Sequence, residues 1–239
     1  MGRKIEVCLS PALLEFYAIE NSIVVVIDIL RATSSMVYGI DNGATAIIPV
    51  AQVEECLAYK DHGYLLAAER NGEVVVGYDF GNSPFSYTKE KVGGKTVVLT
   101  TTNGTKALHM ARERAAVVVI GSFLNLQSLS SWIRSENKDL LLLCAGWKDQ
   151  VNLEDTLFAG AVVEQVRAAF QEFDDSSVLA EDLYKLAQKD LRAYMNKSSH
   201  SHRLAALNIE EDVKFCLQLD ICQAIPVLRG DALVALTLG

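Results

Sequence analysis

The chain has 239 residues, half of them apolar, which is enough for a sizeable hydrophobic core. Its formal net charge of −8 excludes a global basic field for nucleic acid, although a local group of arginines and backbone N–H groups can still bind a small anion. The five cysteines include no C-x-x-C pair, which favours reduced thiols and a cytoplasmic protein. No apolar run approaches the roughly 18–20 residues of a membrane helix, so we expect no membrane association.

Short apolar runs are the first feature along the chain. They are mostly β-branched and do not alternate with polar residues, which is typical of strands buried on both faces of a parallel sheet. The predicted strands are 23–30, 46–50, 64–69, 96–100, 117–122 and 140–145. Segments with helical spacing lie between them, at 33–41, 52–61, 104–114 and 125–136. This alternation predicts a three-layer α/β/α sandwich with a largely parallel sheet, in one domain spanning residues 1–239.

The order of these elements repeats. Residues 24–69 and 97–145 each read as strand, helix, strand, helix, strand, and Val25 and Val98 occupy matching places 73 residues apart. One interpretation is an internal duplication of a βαβαβ half. The other is that any α/β protein shows such spacing, and the sequence leaves both open.

After residue 145 the pattern becomes helical. We predict helices at 151–170, 178–195 and 201–219. One or two strands then follow around a turn at 229–231. No linker separates this part as an independent domain.

Polar side chains follow the predicted strands, at the place where open α/β sheets bind ligands. Asp28 ends the run VVVID and Glu69 ends YLLAAE, while Glu154 and Asp155 begin the helix after the last run. A carboxylate in an apolar run is unfavourable without a partner, so Asp28 is either a metal ligand or acid–base group, or it caps a helix or pairs with Arg31. Glu154 and Asp155 could equally be acidic residues favoured by a helix N-terminus.

A shared cation is the main hypothesis for these acids. Carboxylates that meet at one edge of a sheet repel each other unless a cation lies between them, and oxygen donors suit Mg²⁺. We therefore predict a Mg²⁺ site formed by Asp28, Glu69, Glu154 and Asp155. No Cys/His cluster indicates zinc.

The segment TTTNGTKAL is predicted to be a strand, a polar turn and a helix. Its hydroxyl and N–H groups would suit an anion, or would simply cap the helix. The spacing is not that of a P-loop. The predicted substrate-binding residues of this segment are Thr101, Thr102, Asn103, Gly104 and Thr105. Arg31, in the similar segment LRATSS, adds a bidentate partner for phosphate, sulfonate or carboxylate.

Three further places carry open alternatives. The turn-rich loop 77–87 is either a lid that contacts substrate or a structured crossover. His200, with His202 and Arg203, either binds substrate or begins a solvated helix. Cys144 is a conceivable nucleophile, but a small core residue is the favoured interpretation because no nearby His supports it.

Taken together, several strings resemble the 2-phosphosulfolactate phosphatase family of coenzyme M biosynthesis. They span roughly residues 22–204, and only the set is specific. The strings are VVVIDILRATSS, LLAAERNGEVVVGYDFGNSP, TTTNGTKAL, GSFLN, LLLCAGW, LEDTLFAGA and SSHSHRL. One departure is Ser34-Ser35, where threonines are common, and it retains the hydroxyl groups.

The resemblance implies an α/β/α, Mg²⁺-dependent hydrolase that releases inorganic phosphate from 2-phosphosulfolactate, or from a closely related small phosphorylated acid, and leaves sulfolactate. It implies site roles for Asp28, Arg31, Glu69, Arg70, the turn 101–105, and Glu154 with Asp155. Direct attack by water is favoured over an aspartyl-phosphate, because Asp28 is followed by Ile29-Leu30 and not by the D-x-D-x-[TV] pattern. The alternatives are a metal-dependent lyase or isomerase and a non-catalytic anion-binding sensor. A homodimer is the default expectation.

Overall fold

The computed structural model describes residues 2–70, 73–199 and 209–237. Eleven strands lie in the described residues: β1 (Lys4–Cys8), β2 (Ser22–Ile27), β3 (Ala46–Pro49), β4 (Leu65–Arg70), β5 (Glu73–Val74), β6 (Thr96–Thr100), β7 (Val117–Gly121), β8 (Asp139–Cys144), β9 (Glu172–Phe173), β10 (Pro226–Arg229) and β11 (Ala232–Ala235). The α-helices described are α1 (Ala32–Asp41), α2 (Val53–Leu57), α3 (Lys89–Val92), α4 (Gly104–Arg112), α5 (Leu126–Ser135), α6 (Leu153–Val166), α7 (Asp175–Ala187), α8 (Leu191–Met195) and α9 (Glu210–Cys216).

The strands form one mixed sheet in the order β5-β4-β6-β3-β11-β10-β7-β2-β8-β1-β9. Strands β4, β6 and β3 are parallel to one another, and so are β7, β2, β8, β1 and β9. The hairpin β10–β11 lies between these two parallel groups and is antiparallel to the strand on each side of it. The hairpin therefore joins the two groups into a single sheet.

Burial on both faces explains why the central strands are continuous apolar runs. All six residues of β2 are buried. Ile23, Val25 and Ile27 pack into one core with α5, α6 and α7, whereas Val24 and Val26 pack into a second core with α1 and α4. A smaller cluster lies under α2, around Leu66 and Val98. Helices thus cover both faces, which confirms the predicted three-layer α/β/α sandwich with a mostly parallel sheet.

The strand order has the symmetry that a duplication would produce. A duplication would match β2, β3 and β4 with β6, β7 and β8, and β11 with β10. One half of the sheet then has the order β4-β6-β3-β11. The other half, read from the opposite edge of the sheet, has the matching order β8-β2-β7-β10. The matched halves interleave, since β6 lies between β4 and β3, and β2 lies between β7 and β8. The duplication itself stays a prediction.

Some elements differ from the prediction. The helix predicted over 178–195 is wrong as one helix, because α7 ends at Ala187 and α8 begins after Asp190, whose side chain accepts the N–H of Ala193 at 2.8 Å. A residue that caps a new helix start in this way marks a break in the helical path. The short strands β1, β5 and β9 were not predicted. The helix predicted over 201–219 lies partly outside the described residues, and its described part contains α9 (Glu210–Cys216). No helix in the described part of the chain is long and apolar enough to cross a membrane.

Candidate functional site

The turn after β2 is fixed by its own backbone and hydroxyl groups. The N–H of Asp28 donates to Thr33 Oγ1 at 3.0 Å, and the N–H of Thr33 donates back to the carbonyl of Asp28 at 2.9 Å. Ser34 Oγ donates to the carbonyl of Ile29 at 2.9 Å. The Leu30–Arg31 peptide bond in this turn is cis. Asp28 is 8% exposed, so its carboxylate lies at the edge of the buried interior.

Asp28 belongs to a cluster of three acidic side chains. Asp155 is fully buried, and its carboxyl accepts the N–H of Ile29 at 2.9 Å and the N–H of Gly146 at 3.0 Å. Burial, followed by the nearby carboxylates of Asp28 and Glu154, raises the pKa of Asp155 well above its usual value, although the two N–H donors act in the opposite direction. Such a cluster is stabilised by a proton or by a cation.

Helix α6 places Glu154 and Asp155 in this cluster. The side chain of Asn152 caps the helix by accepting the N–H of Asp155 at 3.1 Å. Glu154 is fully buried and accepts the hydroxyl of Ser198 at 3.2 Å. Both acids lie in the first turn of α6, where the helix dipole favours negative charge, and both are fully buried.

The beginning of α4 lies against the turn after β2. A Cβ atom added to Gly104 would lie 2.8 Å from Asp28 Oδ2 and 3.0 Å from the Cβ of Ala32, the first residue of α1. The N-termini of α1 and α4 therefore meet beside Asp28. Helix N-termini carry partial positive charge and N–H donors, so their meeting forms a place where an anion is favoured next to the acidic cluster.

Several hydroxyls of the turn after β6 are used locally. Thr101 Oγ1 accepts the N–H of Thr105 at 3.3 Å, and Thr105 Oγ1 donates to the carbonyl of Thr101 at 2.8 Å. Thr102 is exposed, and the side chain of Asn103 makes no capping hydrogen bond. These contacts match the capping alternative for Thr101 and Thr105, and the substrate-binding role of the segment stays a prediction.

Arg31 is held by a second set of polar groups at the other side of the turn. Arg31 Nη1 donates to Asp212 Oδ2. Arg31 Nη2 donates to Asn82 Oδ1 at 2.9 Å. Asn82 Nδ2 in turn donates to Glu69 Oε2 at 3.3 Å. Arg31, Glu69, Asn82 and Asp212 are all at most 9% exposed. A cavity of about 280 Å³ opens beside them, and Ser83 is also part of its lining.

The predicted site residues therefore fall into two adjoining groups. Asp28, Glu154 and Asp155 interact electrostatically, while Glu69 is linked through Asn82 to Arg31 and is not among the groups that shift the pKa of Asp155.

Arg70 and His200 are the remaining predicted site residues. Arg70 donates to the carbonyl of Glu69 at 2.8 Å and to Thr100 Oγ1 at 3.5 Å. His200, with His202 and Arg203, lies outside the described residues.

Carboxylate oxygens are the donors that Mg²⁺ prefers in proteins. Among the described residues, no group of three or more His, Cys, Asp or Glu side chains is arranged to hold a metal ion by itself. Mg²⁺ usually takes one or two carboxylates and completes its shell with water and substrate phosphate oxygens. Asp28 and Glu154, whose charges both act on Asp155, supply carboxylates of the type and number that such a site needs.

Two residues of the site were missed by sequence reasoning. Asn82 lay in the loop 77–87, which was noted only as a lid or a crossover. Its neighbours Gly81, Ser83 and Pro84 indicate a fixed turn, and GNSP ends one of the strings that carry the family resemblance. Asp212 gave no distinct signal, because three consecutive acids at a helix start (residues 210–212) are typical of any surface helix.

Cys144 lies in the core, as favoured from the sequence. It is fully buried, and burial raises the pKa of its thiol well above the usual value. A thiol in this state is a poor nucleophile.

Comparisons with known proteins place the chain among relatives that share one name. The family model described as 2-phosphosulpholactate phosphatase matches residues 8–231. A protein of Thermotoga petrophila named probable 2-phosphosulfolactate phosphatase is 41% identical over 210 residues, covering 88% of this chain and 90% of its own. Proteins of the same name from Caldanaerobacter subterraneus and Gloeobacter violaceus are 40% identical over 212 residues and 37% identical over 207. The first match covers 87% of this chain and 88% of the relative, and the second covers 84% and 86%.

Proposed function

Since the chain belongs to the 2-phosphosulfolactate phosphatase family, a family of phosphoric monoester hydrolases, we propose that it hydrolyses 2-phosphosulfolactate or a closely related small phosphorylated acid. The products are inorganic phosphate and sulfolactate or the corresponding hydroxy acid. The observation that carries the proposal is the meeting of two helix N-termini beside the buried acids Asp28, Glu154 and Asp155.

Binding of the ester is supported by the surroundings of Asp28. The N–H groups at the starts of α1 and α4 and the guanidinium of Arg31 are donors suited to the equatorial phosphoryl oxygens. Arg31 and the turn 101–105, together with Arg70, are also the groups proposed to orient the sulfonate and carboxylate of the substrate. Fixed donors of this kind need no rearrangement as charge develops on the phosphoryl group.

Mg²⁺ is proposed as the cofactor, held by Asp28 and Glu154, with Glu69 and Asp155 as the further predicted ligands. When bound, it would neutralise phosphoryl charge as the bond to the leaving oxygen loosens. Asp155 orients the turn through its bonds to the N–H groups of Ile29 and Gly146. A carboxylate beside the ester, Asp28 or Glu69, accepts the proton of the attacking water.

A phosphate-release screen tests this function. The purified chain is incubated with 2-phosphosulfolactate, phospholactate and a bulky aryl phosphate, each with Mg²⁺ and with a chelator. We expect release from the small acids, and loss of release in chelator that added Mg²⁺ restores. Release unaffected by chelator would remove the metal from the mechanism.

The same screen separates the alternatives. A lyase or isomerase would change the carbon skeleton and leave phosphate attached to it, which mass spectrometry of the products detects. A non-catalytic sensor would bind sulfolactate in calorimetry and release no phosphate from any ester.

A cytoplasmic homodimer completes the proposal. All five cysteines are buried free thiols, which suits a reducing compartment. Closed dimers are the commonest assemblies of such enzymes. Native mass spectrometry distinguishes a 26.1 kDa monomer from a species of twice that mass.

A further inference from the structure

Asn82 lies between the two charged groups that sequence reasoning had placed in the site, and no role has been assigned to it. Its Oδ1 accepts from Arg31 Nη2 and its Nδ2 donates to Glu69 Oε2. An arginine can only donate and an ionised carboxylate can only accept, so the amide satisfies both contacts in one orientation alone. At 4% exposure, it is shielded from water that could compete for these bonds.

The backbone of Asn82 is fixed as firmly as its side chain. Ser35 Oγ, on the first turns of α1, donates to the carbonyl of Asn82 at 2.5 Å. The N–H of Ser35 donates to the carbonyl of Arg31 at 3.0 Å. The loop that carries Asn82 is thus tied to the same helix start that presents Arg31.

The next loop residue acts on the opposite edge of the same guanidinium. Ser83 Oγ donates to Asp212 Oδ1 at 2.9 Å, and the other oxygen of Asp212 accepts from Arg31 Nη1. Two consecutive loop residues therefore restrain both Nη groups of Arg31, one directly and one through Asp212. A guanidinium restrained on both edges keeps one orientation, and fixed orientation is what a catalytic donor requires.

The amide also separates charges that would otherwise neutralise each other. Without it, Glu69 and Arg31 could close to a direct ion pair, which would turn both groups away from a ligand. A neutral spacer with one donor and one acceptor keeps the carboxylate and the guanidinium side by side and separately oriented.

We propose that Asn82 is a positioning residue of the phosphatase reaction, which sets the orientation of Arg31 and holds it apart from Glu69. This inference rests on the proposed function. Asn82 acts through Arg31, so removal of the Asn82 side chain should lower the rate only in a chain that still has arginine at position 31.

A double-mutant cycle tests the role. Asn82→Ala is made in the wild-type chain and in Arg31→Lys, which keeps the charge and loses the planar fork. Phosphate release from 2-phosphosulfolactate gives kcat and KM for all four proteins. We expect Asn82→Ala to lower kcat about 10- to 100-fold in the wild-type background, with a smaller change in KM, because misorientation of a catalytic donor acts mainly on the transition state. In the Arg31→Lys background we expect less than about a 3-fold further loss.

Asn42→Ala is the matched control. The amide of Asn42 donates to the carbonyl of Tyr87 at 2.9 Å, so it too joins distant segments, but it does not contact Arg31 or Glu69 in the described structure. Its kcat should stay within about 2-fold of the wild type even where its melting temperature falls. Melting temperatures of all variants identify any loss of rate that reflects unfolding.

Chemical rescue gives a second readout if Arg31→Lys is poorly active. Guanidinium added at non-denaturing concentration to Arg31→Ala should restore phosphate release. The half-maximal concentration should rise about 10-fold or more when Asn82→Ala is also present, since the amide forms one wall of the guanidinium site.

Different results would overturn the positioning role of Asn82 and the proposed phosphatase function. An active wild type in which Asn82→Ala lowers kcat equally in both backgrounds would overturn the positioning role alone. The positioning role would also be overturned if Asn82→Ala changed only KM. The same holds if the half-maximal guanidinium concentration for rescue were equal with and without the Asn82 side chain. A wild type that releases no phosphate from any small ester would overturn the proposed function and the positioning role together.

Discussion

The turns after β2 and β6 occupy matching places in the sheet but differ in chemistry. In the offset that relates Val25 to Val98, Asp28 corresponds to Thr101 and Arg31 corresponds to Gly104. The first turn carries a carboxylate and a guanidinium, whereas the second carries a capping hydroxyl and a residue without a side chain. A nearly symmetric strand order thus holds two chemically different turns, one that carries charged side chains and one that brings a helix N-terminus close to Asp28.

The largest effect is expected from Asp28→Asn. This change keeps the size of the side chain and removes its charge, so we expect kcat to fall on the order of 100-fold or more. The free energy of unfolding should not fall, because a negative charge next to Asp155 is removed. Steady-state phosphate release and urea unfolding measure the two effects. The control is Asp231→Asn, an exposed aspartate in an ion pair with Arg112, and equal rates for the two variants would contradict a charge role for the first turn.

Gly104→Ala comes next, because it puts a methyl group where the start of α4 approaches Asp28. In a helix interior this change stabilises by about 1 kcal/mol. Here the new methyl group would lie 2.8 Å from Asp28 Oδ2, so we expect Asp28 to move and kcat/KM to fall about 10-fold. Lys106→Ala, at an exposed position near the start of α4, serves as the control. A fully active Gly104→Ala enzyme would show that the close approach of α4 is not required.

A stability effect without a large rate effect is expected from Thr101→Ala. It removes the hydroxyl that accepts the N–H of Thr105, and loss of such a helix cap costs about 1 kcal/mol. Because the other donors of the turn 101–105 remain to orient the substrate, we expect kcat to change less than about 3-fold. If the rate fell as far as in Asp28→Asn while the free energy of unfolding stayed constant, the two turns would share the chemistry and the comparison would fail.

The smallest effect on the rate is expected from Cys216 of α9, which packs beside the first turn and should act only on the pH dependence of the free energy of unfolding. Cys216 is buried near Ser34, and burial raises the pKa of its thiol to about 12, while residues 101–106 contain no cysteine. An unfolded thiol ionises near pH 8.5. Between these values the unfolded chain holds fewer protons than the folded one, so the free energy of unfolding falls as the pH rises.

The expected slope is about 1.4 kcal/mol per pH unit for each such thiol. Urea unfolding between pH 8 and pH 11 measures it. Cys216→Ala should reduce the pH dependence of the free energy of unfolding by the contribution of one thiol. An unchanged slope in this variant would mean that Cys216 ionises equally well in the folded protein.

The fold could be predicted because its signals are local. Continuous apolar runs such as VVVI are explained by burial on both faces, and the helices between them follow from spacing. The break between α7 and α8 could not be predicted with the same ease, since Asp190 reads as a helix residue until its side chain is seen to accept the N–H of Ala193.

The site could be predicted only in part, because several of its contacts join residues that are distant in sequence. Asp28 stands out because a carboxylate in an apolar run needs a partner. Asp212 reaches Arg31 from 181 residues further along the chain, so its role depends on packing and gives no local pattern. Asn82 is an ordinary turn residue in sequence, and Ser198 lies between two predicted helices, so only their contacts with Glu69 and Glu154 distinguish them.

The hairpin β10–β11 has a consequence for synthesis in the cell. It follows every other described strand, yet it is the segment that joins the two parallel groups. A nascent chain therefore leaves the edges of β3 and β7 uncovered until residues 226–235 have left the ribosome, and exposed strand edges promote aggregation and chaperone binding. Pairings between such distant segments also slow folding, so we expect maturation of this protein to be governed by the arrival of β10 and β11.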